Sequence, residues 1–167
     1  MPYTKTVWTN GVTPVDQTNQ NHLETQYDEV ATWVRKTADQ TVNNSIVKVN
    51  DTHLKFAMLA NEVWEYIFTP LTNSSAVADM SVSLTGPALS TIYQMGYALS
   101  GGTYILVGGA TVDFDGAGAD VMSGVLRGIV INGANAGDFQ VTWAQKVAEA
   151  SDTKMLTSSF IRAHKLA

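Results

Sequence analysis

The sequence contains no cysteine and little charge, since charged residues make up only 15% of its 167 positions. The absence of cysteine excludes disulfides, thiolate zinc sites and a cysteine nucleophile. Apolar residues make up 45% of the chain, a balance opposite to that of disordered proteins, so we expect most of the chain to fold. Its length suits one domain, alone or with a small appendage.

Basic residues and long apolar runs are also scarce. Ten basic residues against fifteen acidic ones give a net charge of -5. This argues against binding to nucleic acid or to anionic lipid, since both need a basic face. The apolar runs are far shorter than the ~18 residues of a membrane span, and the first residues lack the apolar segment of a secretory signal. We therefore expect a protein that is made in a cytoplasm and inserts into no membrane.

Residues 1–20 are predicted to form an extended, irregular leader. Turn-forming residues dominate it, and Asn10-Gly11 is a turn signal because both residues tolerate positive φ. Trp8 is the one tryptophan in this polar stretch. It either packs on its own domain or docks on a partner. Gly11 would allow the turn that presents Trp8, and Pro14 would stiffen the chain that follows.

Residues 21–43 are predicted to form a helix that begins with Asn21 and Glu24, a pair that resembles a capping box. An apolar stripe follows at spacings of four, three and four residues, formed by Leu23, Tyr27, Val30 and Val34. Two interpretations remain open: an amphipathic helix on the globular core, or a parallel bundle in which the stripe is a trimer seam. The second is favoured because a lone helix of this length is marginal in water.

Residues 44–167 are predicted to form an antiparallel, jelly-roll-like β-sandwich, so the fold class is mainly β. Short segments with period-two alternation of apolar residues recur between turn clusters, as is typical of such sandwiches. The alternating apolar residues include Leu54, Phe56, Met58, Trp64, Tyr66, Phe68, Met80, Val82, Leu84, Phe139, Val141 and Trp143. Ala88–Leu99 is compatible with a strand, a loop or a short helix. The aromatic residues could stack sugars, but a buried sandwich face is favoured.

The sequence offers little catalytic or cofactor chemistry. A weak calcium candidate is the Gly-rich segment with Asp113, Asp115 and Asp120, but the twelfth position of an EF-hand loop, Gly124, carries no carboxylate. A hydrated loop is therefore favoured. The three histidines lack the spacing of a metal cluster, and no nucleophile elbow or phosphate loop occurs. We expect neither an enzyme nor a bound cofactor.

Two stretches resemble bacteriophage fibre proteins. Trp8 to Pro14, followed by Asn21 to Glu24, resembles the opening of tail and fibre proteins, in which a W-x-x-G turn precedes a polar gap and a helix start. The C-terminal block resembles a β-sandwich module of head fibres, decoration proteins and fibre tips. Its matching turns and strands are Leu59-Ala60-Asn61, Thr85-Gly86-Pro87-Ala88, Trp143-Ala144-Gln145 and Ser158-Ser159.

The resemblance implies a structural protein of the virion surface that is a homotrimer and has no catalytic residues. The leader, with Trp8, Gly11 and Pro14, would anchor it to capsid or tail proteins, the helix would hold three chains together, and the sandwiches would project outward. A capsid decoration or head-fibre protein is one interpretation. The alternative is a tail-fibre or baseplate tip that recognises a host cell-surface glycan or protein.

Overall fold

The computed structural model describes residues 31–100, 103–108, 111–118 and 120–167. Every regular secondary-structure element within these residues is a β-strand, and every strand pair is antiparallel. The prediction of a mainly β fold with antiparallel strands is therefore confirmed for the described part of the chain. The strands are β1 (Thr32–Arg35), β2 (Gln40–Asn43), β3 (Val49–Met58), β4 (Val63–Thr69), β5 (Leu71–Asn73), β6 (Met80–Thr85), β7 (Thr91–Ser100), β8 (Thr103–Gly108), β9 (Thr111–Phe114), β10 (Met122–Ser123), β11 (Val125–Ile131), β12 (Gly137–Gln145), β13 (Asp152–Met155) and β14 (Phe160–Lys165).

The strands form three sheets. The first sheet has six strands in the order β1-β14-β4-β11-β7-β8, the second has the order β10-β5-β13-β2, and the third has the order β3-β12-β6-β9. The second sheet continues the first, because β2, β13, β5 and β10 adjoin β1, β14, β4 and β11 along the chain and keep the same order.

An aromatic cluster joins the six-stranded sheet to the third sheet. The rings of Phe56 and Trp64 lie 5.1 Å apart, and the ring of Phe139 lies 4.8 Å from that of Tyr66. Each side chain faces inward because alternate residues of a strand point to opposite faces. The predicted alternating residues are indeed buried in this core, where aromatic rings bury the most apolar area per residue.

Gly128 allows a close approach of β11 to β7. A Cβ atom at this position would lie 1.9 Å from the carbonyl oxygen of Tyr93 and 2.8 Å from the hydroxyl oxygen of Tyr66. Any other residue would therefore push the two strands apart.

The structure corrects the predicted helix over residues 21–43. Residues 21–30 lie outside the described part of the chain, but residues 32–35 and 40–43 form β1 and β2. Val34 packs against the sandwich core from β1 and does not belong to a helical seam. Hydrogen-bonded pairing with β14 and β13 overrides the helical spacing of these residues. The sandwich therefore begins before residue 44, at or before Thr32.

The ambiguous segment Ala88–Leu99 is mainly strand. It contributes most of β7, which pairs with β11 and β8. The turn that precedes β7 holds Leu89 at a φ of 70°, and the turn between β3 and β4 holds Asn61 at 63°. Asn tolerates this left-handed conformation more readily than Leu does.

Candidate functional site

The six-stranded sheet has an exposed apolar face. Alternate residues of a strand point to opposite faces, so every second residue points away from the core. This applies to β1, β4, β7, β11 and β14. Four of the large ones stay about half exposed or more: Trp33 and Tyr93 at 63%, Tyr97 at 57% and Met95 at 50%. We call this surface the outer face; its apolar members are Trp33, Ile67, Tyr93, Met95, Tyr97, Val125, Ile129, Ile131 and Phe160.

Strand pairing arranges the outer face in rows. One row crosses five strands and contains Trp33, Arg162, Ile67, Arg127 and Met95 as successive partners. The next row contains His164, Glu65, Ile129 and Tyr93. Apolar side chains therefore lie beside charged groups of both signs. A groove of about 850 Å³ crosses these rows and is lined by residues of β4, β7, β11 and β14.

Trp33 forms the β1 side of the outer face. Its ring stacks on Phe160 with centroids 5.6 Å apart. The guanidinium carbon of Arg162 lies 5.8 Å from the Trp33 ring centroid, within the range of a cation–π contact. Trp33 is nevertheless 63% exposed. A large aromatic ring held in one orientation and still exposed is typical of residues that contact another protein.

The second notable site is a buried ion pair. Lys36 Nζ lies 2.8 Å from Asp51 Oδ2, and both side chains are fully buried. The indole Nε1 of Trp143 also donates to Oδ2, at 3.2 Å. The backbone N–H groups of His53 and Leu54 donate to Asp51 Oδ1, at 2.9 and 3.0 Å. Every oxygen of this carboxylate is thus hydrogen-bonded.

A local irregularity of β3 makes this ion pair possible. The register of β3 against β12 shifts between Gln140 and Thr142, and such bulges re-aim side chains. The side chain of Gln140 donates to the carbonyl oxygen of Asp51 at 2.9 Å. The amide oxygen of Gln40 accepts from Lys36 Nζ at 3.4 Å and from the N–H of Thr52 at 2.9 Å.

Sequence reasoning missed both sites. The predicted helix over residues 21–43 includes Lys36, and nothing in the local sequence indicates that the partner of this lysine lies 15 positions away on another sheet. The one sequence signal of the outer face is that some strands carry apolar residues on both faces. In β4, for example, Val63 and Ile67 alternate with the buried aromatic residues. Fully apolar strands are also compatible with complete burial, so that signal was ambiguous.

Most of the predicted site residues lie outside the described part of the chain. This holds for the anchor residues Trp8, Gly11 and Pro14 and for the seam residues Leu23, Tyr27 and Val30.

The three aspartates of the calcium candidate are among the described residues, and they do not come together as a metal site. Asp113 lies 3.6 Å from Lys146 Nζ across an exposed ion pair. Hydrogen bonds from Asn73 reach the backbone oxygens of Gly118 and Asp120, at 2.9 and 3.1 Å. Among the described residues, no group of three or more His, Cys, Asp or Glu side chains is placed to hold a metal ion.

Glu62 lies buried where β4 begins. Its carboxylate accepts from the backbone N–H of Leu59 at 2.7 Å, from Trp64 Nε1 at 3.0 Å and from Lys165 Nζ at 2.9 Å. Burial alone would raise the pKa of Glu62, but these hydrogen bonds and the Lys165 charge outweigh it and hold the pKa below its ordinary value.

Comparisons with protein-family models, with characterised proteins and with solved structures gave no match. Across the described ranges there is also no helix with the length and apolar character needed to cross a membrane. The function must therefore be argued from the outer face, the buried groups and the sequence.

Proposed function

We propose that the chain is a structural protein of a bacteriophage virion, a homotrimer whose jelly-roll-like sandwiches meet through the outer face. The resemblance of its leader and C-terminal strands to phage fibre proteins supports the virion assignment. The observation that carries the trimer is the outer face itself, because large apolar side chains in a contiguous patch mark interaction surfaces. The contact surface would thus be a sheet face, in addition to or in place of the expected helical seam.

A second copy of this chain fits the outer face in size and charge. The five strands of the outer face, spaced ~4.8 Å apart and about seven residues long on average, give a planar area of roughly 550 Å² before side-chain relief is counted. A standard interface buries about 800 Å² per partner. Arg127 and Arg162 lie in the row beside that of Glu65, so opposite charges can face each other when two such faces meet.

The two sides of the outer face differ, which favours a closed ring. The β1 side presents Trp33 and Phe160, whereas the β7 side presents Tyr93, Met95 and Tyr97. Contacts between unlike patches generate rings when the rotation closes. Three copies would bring the aromatic residues of each β1 side against the β7 side of the next chain.

The first described residue, residue 31, lies at one end of the sandwich. Thr32 pairs with Ala163, two residues before the end of β14, so residue 31 and the C-terminal residues lie at the same end. The loops that contain Asn44, Ala78 and Glu149 are hydrogen-bonded together at the other end. An anchor in residues 1–20 would therefore hold the first end to a capsid or tail protein and leave the second end free.

The association state of the purified full chain tests this proposal. Light scattering at micromolar concentration should give three times the mass of one chain. Ile129→Glu should dissociate the trimer because it adds one more carboxylate per chain beside Glu65 within the contact. Ile46→Glu is the matched control, since Ile46 is 62% exposed on a loop at the free end and should not affect assembly. A monomeric wild type, or equal dissociation by both variants, would contradict the proposal.

Attachment to a host surface is a second candidate function. It is favoured by exposed aliphatic side chains on the free-end loops: Ile46, Val47, Val77 and Val147. Hydrogen bonds from Lys146 and Val147 to the carbonyl oxygen of Ala78 hold two of these loops together. Val47→Glu should then abolish binding to host cells while leaving the trimer intact. Full binding by this variant would remove the support that these loops give to attachment.

A further inference from the structure

We propose that Lys36 and Asp51 condense to form an isopeptide bond, an intramolecular covalent link between the segment after β1 and strand β3. Lys36 Nζ and Asp51 Oδ2 are 2.8 Å apart, and neither side chain is exposed. This distance joins Nζ to a carboxylate oxygen, so the amine lies beside the carboxyl carbon that it would attack, and the entropy of bringing the two groups together has been lost on folding. The inference rests on this geometry and does not depend on the virion assignment.

The fold holds the amine in place. The backbone N–H of Lys36 donates to the carbonyl oxygen of Ser159, and the N–H of Ser158 donates to the carbonyl oxygen of Lys36. Both bonds join the end of β1 to the segment before β14. Because the Lys36 backbone is fixed on this side and Nζ also donates to Gln40, the side chain keeps pointing at the carboxyl group.

The surroundings of Asp51 suit attack on a carboxyl carbon. Two backbone N–H groups, those of His53 and Leu54, donate to Oδ1. These two bonds form an Asx turn, and the same donors would stabilise the negative Oδ1 of a tetrahedral intermediate, as the donors of an oxyanion hole do. Lys36 and Trp143 Nε1 donate to the other oxygen, Oδ2. The geometry thus distinguishes the oxygen that would become the amide carbonyl from the oxygen that would leave.

The reaction balances without any other reagent. Nζ starts with three protons and transfers one to Oδ2, which gives an amine and a carboxylic acid; loss of both charges is eased by their removal from water. Nζ then attacks the Asp51 carboxyl carbon and the charge moves to Oδ1. A second proton passes from Nζ to Oδ2, the bond from the carbon to Oδ2 breaks, and Oδ2 leaves as water. The amide keeps one N–H and the Oδ1 carbonyl.

The chain contains an internal control for this chemistry. Lys55 Nζ and Asp138 Oδ2 are 2.9 Å apart, nearly the same distance, but their side chains are 49% and 42% exposed. Water solvates both of these charges and competes for every contact. The proposal therefore requires a link at Lys36 and none at Lys55.

Mass spectrometry of the denatured full chain tests the link. The wild type should be lighter than its sequence by the mass of one water molecule, after allowance for removal of Met1. Lys36→Met should have its full sequence mass, and Lys55→Met should still show the loss. In a tryptic digest, the peptide of residues 36–48 should be joined to that of residues 49–55 through Lys36 and Asp51.

Several results would overturn the inference. A wild type of full mass, whose digest shows normal cleavage after Lys36, would mean an ion pair only. A loss of water that maps to residues other than Lys36 and Asp51 would also contradict it. Both results come from the wild-type protein, so the test holds even if Lys36→Met fails to fold.

Discussion

At the scale of single residues, the two buried acids Asp51 and Glu62 show how this sandwich accommodates charge. Each accepts hydrogen bonds from a lysine, from a tryptophan indole and from backbone N–H. Burial of an isolated carboxylate is strongly unfavourable, and these donors replace the lost water. Removing either carboxylate would leave its donors unpaired, which costs more than the hydrogen bonds themselves contribute.

Glu62→Gln should make stability less sensitive to acid. The pKa of Glu62 is lower in the folded chain than in the unfolded one, so its ionised form stabilises the fold. That contribution is complete above the unfolded pKa of about 4.3 and is lost as pH falls through the folded pKa. We expect the variant to lose about 1–2 kcal/mol of unfolding free energy at neutral pH.

Urea denaturation between pH 7 and pH 3 measures this effect. The difference between wild type and Glu62→Gln should shrink toward zero at the acid end. Asp138→Asn, which changes an exposed ion pair, should stay within about 0.5 kcal/mol of wild type throughout. A constant difference for Glu62→Gln across the range would show that its charge is not the cause.

At the scale of elements, the strands that are long and half-buried could be predicted, and the short ones could not. In β4 the alternation of Trp64, Tyr66 and Phe68 identified the strand and its inner face. β1 and β2 have four residues each, and the apolar spacing that leads up to Val34 favoured a helix there. Such short strands take their conformation from β14 and β13, which lie more than 100 positions away. Single-sequence periodicity carries no information about such partners.

Truncation tests the boundary of the sandwich. A fragment of residues 31–167 should unfold cooperatively, because it keeps β1, β2 and the Lys36–Asp51 pair. A fragment of residues 44–167 should be strongly destabilised, since it leaves Asp51 buried without its cation, a loss of about 3–5 kcal/mol. Thermal melts followed by circular dichroism distinguish the two. Equal melting temperatures would show that β1 and β2 are dispensable.

At the scale of the whole molecule, the sequence suggests the anchor residues, but it cannot predict the outer face. The leader and its anchor residues, inferred from turn residues and Trp8, lie outside the described part of the chain and stay a prediction. The outer face needs the register of five strands before its rows appear, because Trp33 and Met95 become members of one surface only through β14, β4 and β11. Local sequence cannot give that register.

Trp8→Ala tests the anchor. Buried tryptophans dominate protein interfaces, so the variant should lose about 2 kcal/mol or more per chain in docking to the particle. Assembly and thermal stability should be unchanged. Occupancy on particles must be compared over a dilution series, because three linked anchors can mask a partial loss. Tyr3→Ala is the matched control in the same leader. Equal occupancy of Trp8→Ala and wild type at every dilution would exclude Trp8 as the anchor.

The pairing of β1 with β14 also determines how the molecule would respond to tension. A force applied through residue 31, away from the sandwich, reaches Thr32 first and then the next residues of β1 in order. The hydrogen bonds to β14 would open one after another, like a zipper, instead of resisting together in shear. Opening would stop at Lys36, where the buried ion pair with Asp51, or the covalent link proposed above, transfers the force to β3 and the core. The force that the sandwich withstands when pulled through residue 31 would thus depend on the Lys36–Asp51 pair.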